Sequence, residues 1–228
     1  MKKIVLYGKD LPKDCTAGLT ARAEKGICLP ASPLLSEPVN THPDTLLYAD
    51  GELLFCGRKY LKENAALFEC AGITPIEADD PKSPYPDEVK LNAFTLNGVL
   101  IGRLDVLDAG LRNSCKKAIN VKQGYARCLT AKVAENAYIS SDRGIAEAVK
   151  KAGGDCLLIS HGHIRLRGHD YGFIGGASVL CGNELLFFGD VTRHPDFDAM
   201  REYAAKYGTA LVSLSNEDLT DCGGAIYV

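Results

Sequence analysis

The sequence predicts an α/β chain of five repeated ββαβ units closed on themselves into a ring. Three observations carry this. The same order recurs four times: short apolar strand, tight turn, second strand, helix, return strand. The second hairpin strands begin at Leu53, Val99, Ala137 and Leu185, at spacings of 46, 38 and 48 residues. Apolar strands are then left over at both ends of the chain, which together complete a fifth unit. Repeats of roughly 20–50 residues mean stacked or radial architectures, because one unit cannot bury its own apolar face.

The first full unit pairs Leu46-Leu47-Tyr48 with Leu53-Leu54-Phe55 around Ala49-Asp50-Gly51. Its helix runs from about Lys59 to Cys70, Gly72 stops it, and Ile73 to Ile76 returns as a strand. In the second, Asn97-Gly98 joins Ala93-Phe94-Thr95 to Val99-Leu100-Ile101, with a helix over 106–117 and a strand over 118–121. The third places strands at 129–134 and 137–140, a helix over 142–152 capped by Ser141 or Asp142, and a strand over 156–159. In the fourth, strands at 177–180 and 185–188 flank Gly182-Asn183. Pro195 opens its helix, Gly208 closes it, and 210–213 returns. Ile4 to Tyr7, Gly26 to Leu29 and Ala225 to Val228 remain for the fifth unit, and the proline-rich stretch 29–43 reads as a loop. The whole chain, 1–228, is expected to form a single domain.

Composition narrows the function classes. Lys and Arg total 26 against 29 Asp and Glu, a net charge of −3, so no nucleic-acid partner is expected. No apolar run approaches the length of a membrane span, and Ile4-Val5-Leu6-Tyr7 is too short for a signal-peptide core, so no membrane association and a cytoplasmic location are expected. The nine cysteines contain no C-x-x-C pair, and most read as small buried hydrophobes. Gly172, Gly175 and Gly176 do not form G-x-G-x-x-G and there is no P-loop, so no cofactor is expected. His161 and His163 with His169 or Asp170 have zinc-ligand chemistry, but no further spacing completes a site, so no metal is expected either.

Three stretches carry a resemblance: 121–128 (VKQGYARC), 170–177 (DYGFIGGA) and 219–225 (LTDCGGA). With the fivefold repeat, they make the chain resemble a branch of the pentein, or guanidino-group-modifying-enzyme, superfamily. The resemblance implies an α/β pentein propeller of five ββαβ units with pseudo-fivefold symmetry, closed by its N- and C-terminal strands. Catalytic pentein proteins include arginine deiminases, dimethylarginine hydrolases and amidinotransferases; translation initiation factor six is a non-catalytic relative. In catalytic members a cysteine near the C-terminus attacks the guanidinium carbon, a histidine handles protons and carboxylates hold the cation. Here Tyr227 or Val228 stands in that cysteine's place, and Cys222 precedes the glycines instead.

In a radial fold the first strands of the units start near the axis. Those starts are Asp44-Thr45, Leu91-Asn92, Arg127-Cys128, Gly175-Gly176 and Cys222-Gly223. An axial pocket would gather Asp44, Asn92, Cys128 and Cys222, with Gly175 and Gly176 leaving space for a ligand. Cys128 and Cys222 are the candidate nucleophiles. His163 and His169, in a loop that also carries Arg165, Arg167 and Asp170, are the candidate proton carriers. The arginines suit a ligand carboxylate, while Asp44 and Asp170 suit an amino or guanidino group, so a small zwitterionic or guanidino ligand is expected. Two functions stay open. One is a cysteine-dependent hydrolase or amidinotransferase acting on an arginine-like molecule; the other is a non-catalytic binding or assembly protein on the same scaffold.

Overall fold

The computed structural model describes residues 4–51 and 53–228. In chain order its elements are β1 (Ile4–Gly8), α1 (Lys13–Thr20), β2 (Lys25–Leu29), α2 (Pro43–Leu46), β3 (Leu47–Asp50), β4 (Leu53–Gly57), α3 (Arg58–Glu63), α4 (Ala65–Ala71), β5 (Ile76–Ala78), β6 (Phe94–Leu96) and β7 (Val99–Gly102). There follow α5 (Ala109–Ser114), β8 (Lys117–Asn120), β9 (Thr130–Ala134), β10 (Ala137–Ser140), α6 (Arg143–Lys151), β11 (Asp155–Leu158), β12 (Ser178–Cys181), β13 (Glu184–Phe187), α7 (Phe197–Lys206), β14 (Ala210–Ser213) and β15 (Ala225–Tyr227).

The strands form five separate three-stranded sheets rather than one barrel. Four repeat one plan: an antiparallel hairpin whose second strand takes a parallel third after a helical crossover, as in β9, β10 and β11. The fifth is assembled from both ends of the chain. There β15 pairs antiparallel with β1, matching Val5 to Tyr227, and β1 pairs parallel with β2 after α1. The pentein arrangement that the sequence implies is the one observed.

Local chemistry explains the elements. The Asn97-Gly98 turn has φ of +52° and +71°, the left-handed pair that a two-residue hairpin needs. Asp108 and Asp142 cap α5 and α6, accepting from the backbone N–H groups of Leu111 and Ile145, each at 2.8 Å. The helix expected from Lys59 to Cys70 breaks into α3 and α4 at Asn64, and Gly72 ends it in the left-handed conformation. β5 starts at Ile76, beyond Pro75, rather than at Ile73.

Five apolar clusters wedge between neighbouring units. One joins Leu6, Ile27 and Leu29 to Leu47, Leu54 and Phe68. Another joins Val133, Ala137 and Ile139 to Leu185, Phe187 and Met200. The first two strands of each unit are therefore largely buried on both faces, while the third strands β5, β8, β11 and β14 and the outer strand β2 stay partly exposed. The first strands β3, β6, β9, β12 and β15 surround the axis and enclose a cavity of about 170 Å³. No helix among the described residues is long and apolar enough to cross a membrane.

Candidate functional site

Four groups from three units converge where the first strands begin. His42 precedes α2, Pro43 opens that helix, and Asp44 lies in its first turn. The Asp44 N–H donates to the Gly223 carbonyl at 3.1 Å, joining the first unit to the fifth. Gly223 has φ +73°, and a Cβ there would lie 2.3 Å from that of His42, so only glycine allows this approach. Asn92 laces the entrance together: its Nδ2 donates to the Asp44 carbonyl at 3.0 Å, and its Oδ1 accepts from the N–H groups of Arg127 at 2.8 Å and Cys128 at 3.2 Å. Its side chain is thus engaged with backbone, holding Asp44 and Cys128 in place.

The Cys128 thiol faces the Asp221 carboxylate, with Sγ 3.3 Å from Oδ2 and 3.6 Å from Oδ1. Asp221 is itself fixed by the N–H of Phe173 at 2.9 Å and of Gly223 at 3.0 Å. His42 Nδ1 stands 3.8 Å from Asp221 Oδ1. His42, Asp44, Cys128 and Asp221 are 2–4% exposed, so the cluster is closed to solvent. The Asp44 Oδ2 atom has no hydrogen-bond partner, and burial pushes this carboxyl up to about 6, with His42 opposing and Asp221 reinforcing the shift. Burial, followed by the charges of Asp221 and Asp44, pushes the Cys128 thiol well above its ordinary range. In this closed state it is a neutral donor to Asp221 rather than a thiolate.

The other residues singled out from the sequence lie elsewhere. Cys222 is one residue from Asp221 but faces the opposite way, packed with Val5, Cys15 and Leu19, and burial raises its thiol strongly. Gly175 and Gly176 do not open a space. A Cβ on Gly176 would sit 1.9 Å from Asp221 Oδ1 and 2.6 Å from Cys128 Sγ, and one on Gly175 would strike the Arg127 and Thr130 carbonyls. These glycines admit neighbouring protein atoms, not a ligand.

His163, Arg165, Arg167, His169 and Asp170 line a separate pocket of about 560 Å³ with His194 and Asp218. Arg165 pairs with Asp218 at 2.5 Å and Arg167 with Glu37 at 3.1 Å. The loop meets the axis through its backbone, where the Asp221 N–H donates to the Arg165 carbonyl at 2.8 Å and Gly172 packs on the Asp221 side chain. The imidazole and the second carboxylate that meet Cys128 and Asp44 at the axis belong to His42 and Asp221, neither of which the sequence reading selected. A signal for His42 existed: His42-Pro43-Asp44 recurs as His194-Pro195-Asp196, and both histidines prove to be buried, Pro43 opening α2 and Pro195 lying two residues ahead of α7 rather than opening it. Asp221 was hidden by register, since a shift of one residue on an extended chain exchanges the faces.

Aromatic side chains cross the same end. Tyr85, Tyr125, Phe173 and Tyr171 form a row with successive ring centroids 6.0, 6.0 and 6.1 Å apart. Tyr125 is hydrogen-bonded to Glu88 and lies close enough to feel the charges of Cys128 and Asp44.

Comparison with solved structures agrees with the fold. Campylobacter (C. jejuni) agmatine deiminase superposes with a TM-score of 0.57 at 11% identity, over 97% of this chain and 92% of that one. DDAH from Pseudomonas aeruginosa, complexed with citrulline, gives 0.52 at 9% identity, over 95% and 93%. An amidinotransferase of the saxitoxin biosynthetic pathway from Microseira wollei gives 0.55 at 10%, over 100% and 94%. At such identities the likeness is one of fold. No curated protein matches in sequence. The model of the "Family of unknown function (DUF6873)" matches residues 7–226, nearly the whole chain, and this protein belongs to that family.

Proposed function

We propose that this protein is a cysteine-dependent enzyme acting on the guanidino or amidino carbon of a small cationic molecule, with Cys128 as nucleophile. The observation that carries this reading is the convergence of one thiol, one imidazole and two carboxylates from three units in one cluster. Asp44 and Asp221 grip the planar cation with paired hydrogen bonds. The same two carboxylates hold the thiol proton in the closed state, so a guanidinium between them reverses the local sign and favours the thiolate. The thiol proton passes to Asp221, its hydrogen-bond acceptor, as Sγ bonds to the amidino carbon. His42, whose Nδ1 lies 3.8 Å from Asp221 Oδ1, relays that proton to the nitrogen that leaves, and the C–N bond breaks. Water or an acceptor amine then displaces sulfur, giving hydrolysis or amidino transfer. Agmatine deiminase, DDAH with citrulline and an amidinotransferase among the structural neighbours support the substrate class. With nine unpaired cysteines, we place the activity in the reducing cytoplasm.

Turnover of arginine, agmatine and methylated arginines, followed as released ammonia or amine, tests the reading. Activity should vanish in Cys128→Ser, and an amidine-bearing alkylating reagent should modify Cys128. Activity lost in Cys222→Ser but kept in Cys128→Ser would overturn the assignment. One observation favours the non-catalytic reading: the cluster is closed, and the axial cavity reaches Asp44 but is not lined by Cys128. Under that reading the same compounds bind without being consumed.

A further inference from the structure

We propose that the axial cluster is also a transition-metal site, in which His42 Nδ1, Cys128 Sγ and a carboxylate oxygen of Asp221 bind a zinc ion and the neighbouring Asp44 carboxylate contributes its negative charge. The proposal shares residues with the catalytic reading but does not depend on it. The three donors lie within 4.8 Å of one another and all three residues are buried; no other such group occurs among the described residues. Bonds of about 2.0–2.3 Å in a tetrahedron put neighbouring ligand atoms about 3.3–3.8 Å apart. To one and the same oxygen, Asp221 Oδ1, the observed distances are 3.6 Å from Cys128 Sγ and 3.8 Å from His42 Nδ1. The ligands are therefore close to the spacing that an ion between them requires.

A second observation is independent of that triad. Asp44 is 3% exposed, and its Oδ2 finds no hydrogen-bond partner, an arrangement that buried carboxylates rarely tolerate. A cation in the cluster gives that carboxylate a counter-charge. The outer contacts also suit a metal: backbone N–H groups of Phe173 and Gly223 orient Asp221, and Asn92 holds the main chain of both Asp44 and Cys128. Gly176 and Gly223 carry no side chain where one would push the donors apart. The donor set selects the ion. One sulfur and one imidazole nitrogen disfavour calcium and magnesium, which take oxygen ligands, and suit zinc. On binding, the Cys128 S–H bond breaks, its proton leaves to solvent and a Zn–S bond forms. The ion thereby ties the first, third and fifth units together and occupies the sulfur lone pair that attack on an amidino carbon would use.

The test uses the full chain, stripped with a chelator and titrated with Zn²⁺ or Co²⁺. The expected result is one ion per chain, with a thiolate-to-cobalt charge-transfer band that disappears in Cys128→Ser and persists in Cys70→Ser. His42→Gln and Asp221→Asn should each weaken Zn²⁺ binding at least tenfold. Should Cys128→Ser fail to fold, Zn²⁺ protection of Cys128 from alkylation in the unmodified chain gives the same answer. A band that survives Cys128→Ser, one that is lost instead in His163→Ala, or the absence of stoichiometric binding would overturn the proposal. Failure of the guanidino reading is seen separately, as absent turnover by the chelated protein, whereas the cobalt spectrum reports the metal alone.

Discussion

His42-Pro43-Asp44 and His194-Pro195-Asp196 are one tripeptide in two surroundings. Both histidines are 3% exposed and both prolines precede or open a helix. In the second copy the carboxylate is satisfied, although His194 Nε2, like Asp44 Oδ2, has no hydrogen-bond partner. His194 Nδ1 accepts from the Asp196 N–H at 3.1 Å, and the Asp196 carboxylate accepts from the Ser160 N–H at 2.6 Å, which holds it below the usual carboxylate range. In the first copy the side chains turn across unit boundaries. His42 meets Asp221 of the fifth unit, and Asp44 keeps an unpartnered oxygen beside Cys128 of the third. The motif sets the backbone; what converges on it sets the chemistry. An acid that is stabilised in one copy is destabilised in the other.

Three measurements break or sharpen this contrast. The largest effect is expected from Gly176→Ala, which forces a methyl into the contact between Asp221 and Cys128 and should destabilise the chain by about 3 kcal/mol in denaturant unfolding. A neutral outcome would mean the axial groups are loosely held. Next, the two aspartates should respond with opposite signs. At neutral pH in metal-free protein, Asp44→Asn should stabilise by about 1–3 kcal/mol, because it removes a buried charge whose Oδ2 has no hydrogen-bond donor and whose Oδ1 has only a long one from Thr45. Asp196→Asn should destabilise by about 1 kcal/mol, because it weakens a charge-assisted bond to Ser160. Equal signs would end the comparison.

The smallest effect concerns His194. Burial holds its imidazole below the ordinary value, with His163 acting in the same direction and Asp196 and the Ser160 backbone opposing. As pH falls through about 6.5 the unfolded chain takes up a proton there and the folded chain resists. The stability present above that pH is therefore lost as the pH drops toward the folded value. Wild type should lose more stability than His194→Gln between pH 7.5 and 5; parallel curves would show that the buried ring does not contribute.

The repeating order was legible because each unit carries its own punctuation: Asn97-Gly98, Gly72 and Gly208 all take the positive φ that their turns and helix ends demand. α1 was not read, since Lys13–Thr20 mixes Thr, Gly and Cys and shows no strong apolar stripe. At the site, unit spacing was enough to place Asp44, Asn92 and Cys128 near one another. It did not distinguish Asp221 from Cys222, because the answer turns on which face of one residue meets the axis. The 161–170 loop drew attention by its histidines and arginines, yet His163, Arg165, Arg167, His169 and Asp170 are all exposed and the arginines are bound to acidic neighbours. Local richness in reactive residues says little about where distant segments meet.

The five clusters between units have a consequence for how the molecule opens. An open array of repeats has end units with a single neighbour, and these fray first. In this ring each unit is gripped on both sides, the fifth by the pairing of β1 with β15 and by the clusters it shares with the first and fourth units. Detaching any unit breaks two interfaces at once, so partial unfolding lacks an inexpensive starting point. Amide exchange in the central strands β1, β4, β7, β10 and β13 should accordingly be slow to a similar degree, reporting one shared global opening instead of a gradient along the chain.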